Sequence, residues 1–262
     1  MEKKIVFFDI DGTIYSYGEG VPKDTIEGIR KLRENGNYAV ICTGRTKSMI
    51  FPEIAEVGFD GIIAGGGTYV EFGGKEISRY VMPKDLTVEV VIEMRKNNIM
   101  AIPEGIENIY FDTALMPEKY KPIYNLYKTN VGENVIDIDD INDITVSKVS
   151  GSANSGEAVD IMIEKFSDKF TIIRHLYKYL EMIPKGYSKA VGIEKLINYL
   201  SIEKKNTYAF GDSMNDFEML KYVNYGVAMG NSTDEFKEQM DYVTDDYDKG
   251  GIYNALKSFE LI

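Results

Sequence analysis

The sequence has 262 residues, 44% hydrophobic and 27% charged, enough for one large domain or two modest ones with a sizeable buried core. Its formal net charge of −12 argues against a general nucleic-acid binder, which needs a basic face, but leaves room for a phosphorylated metabolite held by a metal and a few placed cations. The single cysteine, Cys42, rules out an intrachain disulfide and fits a reducing cytoplasm, and no run approaches the roughly 20 apolar residues of a membrane span.

The chain opens on "KKIVFFDIDGTIY". Ile5 to Ile10 reads as a short strand apolar on both faces, as in a parallel sheet covered by helices. Asp9 and Asp11 interrupt the run too early for a signal-peptide core, so the expectation is a soluble cytoplasmic protein. "VPKDTIEGIRKLRENG" follows as an amphipathic helix, with Pro22 in its first turn, Ile26, Ile29 and Leu32 on one face, and Gly36 at its end. "YAVICTG" reads as a second buried strand, "RTKSMIFPEIAEVG" as helix interrupted at Pro52, and "GIIAGGGTYVEFGGKEISRYV" as a strand, a glycine turn and a hairpin. Strand and helix in alternation predict an α/β fold: a doubly wound, Rossmann-like parallel-sheet core.

The rhythm changes near Met82 and Pro83. From 83 to 184 helices ("KDLTVEVVIEMRKNN", "MPEKYKPIYNLYKTN", "EAVDIMIEKFSD") mix with strands ("MAIP", "ITVSKVSG", "TIIRHLYKYLEMIP"), which predicts an inserted α+β domain. The core would then comprise 1–82 and 185–262. Its second part resumes with helix "SKAVGIEKLINYL", strand "TYAFG", helix "SMNDFEMLKYV", strand "YGVAM" and helix "STDEFKEQM".

Side chains two apart on a strand point the same way, and α/β folds place ligands at the carboxyl ends of parallel strands. Asp9 and Asp11 are therefore expected to converge. Like charges so placed either share a cation, making a Mg²⁺ site, or raise one pKa, making an acid–base group. The N–H groups of Gly12 and Thr13 would suit an anion. An EF-hand is excluded, because its glycine belongs at position six of the loop and Gly12 stands at position four.

Three further clusters end other strands. "CTGR" offers the Thr43 hydroxyl, an exposed N–H at Gly44 and the Arg45 guanidinium, a set that suits a phosphate oxygen. "GYSKAVG" puts Lys189 at a helix start, where a cation gains nothing from the dipole. "FGDSMND" places Asp212, Asn215 and Asp216 around another helix start, where capping by Asp212 or Ser213 is an alternative; Asp216 needs a partner such as Lys189 or the metal.

In order, "DIDGT", "TGR", the lysine of "SKAVG" and "GDSMND" resemble the haloacid dehalogenase-like hydrolases. The insert between the second and third resembles the Cof-type phosphatases with a cap of the C2B kind. The resemblance spans Met1 to Val81 and Lys185 to Ile262, and extends to "VAMGNSTDEFK" and "VTDDYDKGGIYNAL"; the cap matches by position alone.

The resemblance implies that Asp9 is the nucleophile, forming an aspartyl-phosphate, and that Asp11 is general acid and then base. Thr43 and Lys189 would hold the transferring phosphoryl group, with Asn215 donating nearby and Asp216 orienting the site or Lys189. Mg²⁺ would bind the carboxylates of Asp9 and Asp212 and the carbonyl of Asp11. One departure stands out. The family commonly has Asn-Gly after the third strand, where this chain reads "AGGGTYV", and Gly66 supplies no amide.

His175 is read as cap packing and Cys42 as a small core residue. Tyr110, Tyr120, Tyr124 and Tyr127 are packing or, alternatively, the lining of a substrate pocket. The reading is a Mg²⁺-dependent phosphatase acting on a small phosphorylated metabolite, a monomer or weak homodimer without nucleic acid or membrane. A phosphotransferase or sugar phosphomutase would use the same residues. A non-catalytic phosphometabolite sensor would normally have lost some of them.

Overall fold

The computed structural model describes residues 2–175 and 178–262. In chain order the first part carries β1 (Ile5–Phe8), α1 (Lys23–Glu34), β2 (Tyr38–Cys42), α2 (Pro52–Ala55), β3 (Gly61–Ala64), β4 (Tyr69–Phe72) and β5 (Lys75–Arg79). The insert carries α3 (Lys84–Lys96), β6 (Met100–Glu104), β7 (Ile109–Phe111), α4 (Lys121–Val131), β8 (Val135–Asp137), β9 (Lys148–Ser152), α5 (Gly156–Phe166), β10 (Phe170–His175) and β11 (Tyr179–Pro184). The last part carries α6 (Lys189–Leu200), β12 (Thr207–Gly211), α7 (Phe217–Tyr222), β13 (Tyr225–Ala228), α8 (Asp234–Lys237), β14 (Tyr242–Val243) and α9 (Gly251–Ser258).

Two compact units result. One comprises Met1–Gly44, Pro52–Ser78 and Ser188–Ile262; the other comprises Arg45–Phe51 and Arg79–Tyr187. The short segment after β2 thus clusters with the insert, although it lies within residues 1–82.

The first unit is built on an eight-stranded sheet in the order β14-β13-β12-β1-β2-β3-β4-β5. The run from β14 to β3 is parallel, and β4 returns antiparallel to β3. Ile5 and Phe7 of β1 pack in one cluster with Ile193 and Leu196 of α6 and Met219 and Leu220 of α7. The alternate residues Val6 and Phe8 are equally buried, with Phe8 stacked on Phe210 at 5.4 Å. Burial of both faces is why these strands read as continuous apolar runs rather than as alternations.

Several local expectations shift. β1 ends at Phe8, two residues before Ile10, because the chain turns back on itself: the N–H groups of Thr13, Ile14 and Tyr15 all donate to the Ile10 carbonyl. On α1 the buried set is Thr25, Gly28, Ile29 and Leu32, whereas Ile26 is exposed, because Gly28 lets α9 approach. "RTKSMIFPEIAEVG" forms a 3-10 turn at Lys47–Met49 and the four-residue α2 rather than a long helix.

In the insert a six-stranded sheet runs β10-β11-β9-β6-β7-β8. One face packs on α3 and α5 through Val90, Val91, Met94, Val159, Met162 and Phe166. "TIIRHLYKYLEMIP" is two strands: β10 and β11 pair antiparallel from Phe170–Pro184 to His175–Tyr179. Leu176 and Tyr177, within that expected strand, lie outside the described residues. β7 and β8, three residues each, are too short to show as periodic runs.

The glycine turn after β3 has a structural purpose. Gly65, Gly66 and Gly67 all have positive φ, and a Cβ on Gly67 would collide with the carbonyl oxygen of Ser188, the N-cap of α6. A Cβ on Gly192, one turn into α6, would collide with Ile63. The start of α6 therefore lies backbone-close against the turn, which fixes where Lys189 stands. Gly67→Ala should cost at least about 1–3 kcal/mol from its φ of 90° alone. Urea or thermal unfolding measures this, and an unchanged midpoint would show that α6 does not depend on the turn.

Candidate active site

The site forms at the carboxyl ends of β1 and β12, neighbouring parallel strands paired from Ile5–Thr207 to Phe8–Phe210. Asp9 follows β1 directly, and its N–H still donates to the Phe210 carbonyl at 3.0 Å. Asp212 and Asp216 follow β12. Carboxylate oxygens of Asp9, Asp212 and Asp216 all lie within 4.8 Å of one another. Lys189 enters from the first position of α6. Its Nζ donates to Asp9 Oδ1 at 2.6 Å and to Asp216 Oδ1 at 2.5 Å, and all three side chains are almost wholly buried.

A buried lysine at a helix start is unfavourable by both desolvation and dipole. Here burial pushes the Lys189 pKa down, but Asp216 and Asp9 outweigh it and the ammonium is held well above its ordinary value. These two carboxylates thus favour the charged form of Lys189.

The two late aspartates differ sharply. Asp216 Oδ2 accepts the N–H groups of Asp212 at 3.0 Å and Ser213 at 3.2 Å, and Ser213 and Asp216 form a reciprocal capping box. Gly211 has no room for a Cβ beside Asp216. Capping therefore falls to Ser213 with Asp216, which leaves the Asp212 carboxylate to the site, where Thr13 Oγ1 donates to it at 3.4 Å. Asn215 Oδ1 accepts from Ser213 Oγ at 2.7 Å.

Charge accumulates where the carboxylates meet. Burial and the neighbouring Asp216 raise the pKa of Asp9 well above the usual range, against the pull of Lys189, and Asp212 and Asp11 push it further the same way. Burial and Asp216 push Asp212 up to about 7. Three carboxylates around one lysine make a site that lacks a positive charge. A hard divalent cation with a taste for carboxylate oxygens would fit that donor set.

One expectation is corrected and one refined. Asp9 is buried and Asp11 exposed, since the chain leaves the strand between them and turns at Gly12, yet Asp11 stays close enough for its charge to raise the pKa of Asp9. The N–H groups of Gly12 and Thr13 are not turned to an anion. Gly12 donates to the Tyr15 carbonyl at 2.9 Å and Thr13 to that of Ile10 at 3.2 Å. What Gly12 supplies is its φ of 77° and a missing Cβ, which would stand 2.5 Å from Asp212 Oδ2.

Thr43 is buried at the end of β2, its N–H on the Ile63 carbonyl and its own carbonyl accepting from Gly66, while Gly44 is partly exposed beside it. Arg45 belongs to the other unit. It is buried, its guanidinium 4.8 Å over the Phe51 ring and donating to the Met49 carbonyl.

Sequence reasoning missed a buried ionic group in the insert. Lys148 donates to Glu181 and lies 3.3 Å from Glu104 Oε2, an ion pair without hydrogen-bond geometry, and Ser150 donates to Glu104. Strand pairing, which local sequence does not reveal, brings them together: Glu104, Lys148 and Ser150 share one sheet face by register. His175, read as packing, has Nε2 3.2 Å from Glu181 Oε2. Of the four tyrosines, Tyr110 is in the core cluster with α3 and α5, Tyr124 meets Phe111 edge-on and donates to Asp137, and Tyr127 lies tilted against the same ring.

Comparison with known proteins gives a consistent result. Residues 6–256 match the profile of the haloacid dehalogenase-like hydrolases. YkrA of Bacillus subtilis is 30% identical over the full length of both chains. The 5-amino-6-(5-phospho-D-ribitylamino)uracil phosphatase YitU of the same organism is 26% identical, covering 99% of each chain. Among solved structures, the HAD subclass IIB sugar phosphatase BT4131 superposes with a TM-score of 0.86 at 27% identity, covering 99% of this chain and 100% of that one.

The raised pKa of Asp212 has a measurable sign. Between an ordinary 3.8 and about 7 the folded, metal-free chain holds a proton that the unfolded chain has released. Stability in chelator should therefore fall as pH rises through that window. Asp212→Asn should flatten the fall, and Mg²⁺ should stabilise the parent chain more at pH 7 than at pH 4, since it binds the ionised form. Melting temperature against pH checks both, and a rising curve would contradict the assignment.

Proposed function

This chain belongs to the haloacid dehalogenase-like hydrolases and is a phosphatase, and we propose that it hydrolyses a small phosphorylated metabolite, a sugar phosphate or similar, with Mg²⁺ and through an aspartyl-phosphate on Asp9. The observation that carries this reading is the unbalanced charge of Asp9, Asp212 and Asp216 around one buried lysine. A phosphate dianion would be repelled from such a site without a cation. The named activities of YitU and BT4131, both on small phosphorylated compounds, support the substrate class.

Asp9 and Asp212 would hold the Mg²⁺, with the Asp11 carbonyl as the family resemblance implies. Bound there, the ion would offset the repulsion between carboxylates and phosphate and keep Asp9 ionised. Lys189 aims Asp9 through its bond to Oδ1 and, with Thr43, would take up charge spreading over the phosphoryl oxygens. Asp9 would attack phosphorus as the ester P–O bond breaks, and Asp11 would give its proton to the departing alkoxide. Asp11 would then take a proton from water as that water attacks the phosphoenzyme, releasing phosphate and restoring Asp9. Asp216, saturated by Lys189 and two N–H groups, would hold Lys189 and the loop rather than touch substrate.

Every residue in this scheme belongs to one chain, so a monomer or weak homodimer would suffice. A cytoplasmic setting suits the buried, unpaired thiol of Cys42. Among the described residues no helix is long and apolar enough to cross a membrane.

Chelation should abolish phosphate release and Mg²⁺ should restore it. Asp9→Asn should form no phosphoenzyme with any leaving group. Asp11→Asn should lose on the order of 10²–10⁴-fold with an alkyl phosphate, less with a nitrophenyl phosphate, and accumulate phosphoenzyme. Rapid-quench labelling reads this directly. Label trapped by Asp9→Asn would reverse the two roles.

A further inference from the structure

We propose that Asn231 is a positioning residue for the general acid, holding the Asp11–Gly12 turn through the Gly12 carbonyl; this rests on the assignment of Asp11 above. The amide of Asn231 is used at both ends. Its Nδ2 donates to the Gly12 carbonyl at 2.9 Å, across 219 residues of chain, and its Oδ1 accepts the Tyr247 N–H at 2.9 Å. Only one orientation of the amide serves both, since the reverse would set donor against donor and oxygen against oxygen.

The anchor behind Asn231 is firm. Gly230 donates its N–H to the Asp245 carbonyl at 3.0 Å, and a Cβ on Gly230 would stand 2.6 Å from Asp246 Oδ1 and 2.7 Å from the Asp246 nitrogen. Lys237 Nζ donates to the Gly230 carbonyl at 3.2 Å. The loops after β13 and β14 are therefore packed backbone to backbone, with Asn231 projecting from that base to Gly12.

The other side of the turn is also fixed. Gly12 lies against the Asp212 carboxylate, which a Cβ would meet at 2.5 Å, and its N–H is held by Tyr15. The turn is thus clamped between Asp212 and Asn231. Asp9 needs no such clamp, because Lys189 and the Phe210 carbonyl already hold it. Asp11 is exposed and immediately precedes Gly12, so a shift of the turn moves its backbone. Removing the Asn231 bond should hence disturb proton donation by Asp11 more than attack by Asp9, which Lys189 and the Phe210 carbonyl continue to hold.

Two variants separate this from a merely structural role. Asn231→Asp keeps the acceptor for the Tyr247 N–H and loses the donor to Gly12; Asn231→Leu loses both. With an alkyl phosphate kcat should fall about tenfold or more in each, with a nitrophenyl phosphate less than about threefold, and KM should change little. Equal losses on both esters, or a change confined to KM, would overturn the proposal. So would unfolding of both variants, seen by circular dichroism, since Asn231 would then act on the fold alone. If Asp9→Asn still forms phosphoenzyme, the assignment of the site fails instead, and that result is read from a different variant.

Discussion

The buried ammonium of Lys189 is the interaction on which the site depends. It joins Asp9, just after the first strand of the chain, to Asp216, from a loop some 200 residues later, because the strands they follow are neighbours. Desolvating three ionised groups is costly, and the cost is met only because each of the lysine's short contacts is charge-assisted. Taking away one partner would leave an uncompensated buried charge. The geometry is consequently stiff: Lys189 cannot turn away from Asp9 without also abandoning Asp216.

That stiffness begins in the backbone. Lys189 is held where it is because α6 starts against a turn of three glycines, with the Ser188 carbonyl where a Gly67 side chain would be. The resemblance made "AGGGTYV" look like a defect, an amide missing from a place that commonly has Asn-Gly. The structure gives the sequence a different sense. Gly66 supplies no side chain, yet the turn's emptiness is what allows a helix terminus to approach so closely. The close approach is made at Gly67, next to the position where the amide is missing.

Much of the architecture was legible in the pattern of residues. Continuous apolar runs at Ile5–Phe8, Tyr38–Cys42 and Thr207–Gly211 marked strands buried on both faces, and those strands form the middle of the parallel sheet. Strand ends were less legible, because a strand stops where its hydrogen bonds turn inward and not where its apolar run stops; Ile10 is fully buried yet lies in the turn. That is also why Asp9 and Asp11, two residues apart, differ in burial. The buried trio of Glu104, Lys148 and Glu181 was invisible for another reason. Each lies on a different strand, and nothing local says that strands far apart in sequence will pair in that register. Tertiary pairing, not composition, turns three ordinary charges into a buried group.

The sequence could not apportion Asp212 and Asp216, which are the same residue type four positions apart. Their difference comes from hydrogen-bond accounting. Both oxygens of Asp216 are committed, one to Lys189 and one to two backbone N–H groups, so its charge is satisfied by the protein itself. Asp212 accepts one long bond from Thr13, and burial pushes its pKa up to about 7. A half-buried carboxylate with one long hydrogen bond is one that a cation can satisfy. The saturated neighbour makes that demand sharper, because its fixed negative charge remains beside Asp212 whatever binds there. The two aspartates therefore differ along one physical chain: Asp216 fixes the lysine, the lysine fixes Asp9, and the charge left over at Asp9 and Asp212 would suit a cation.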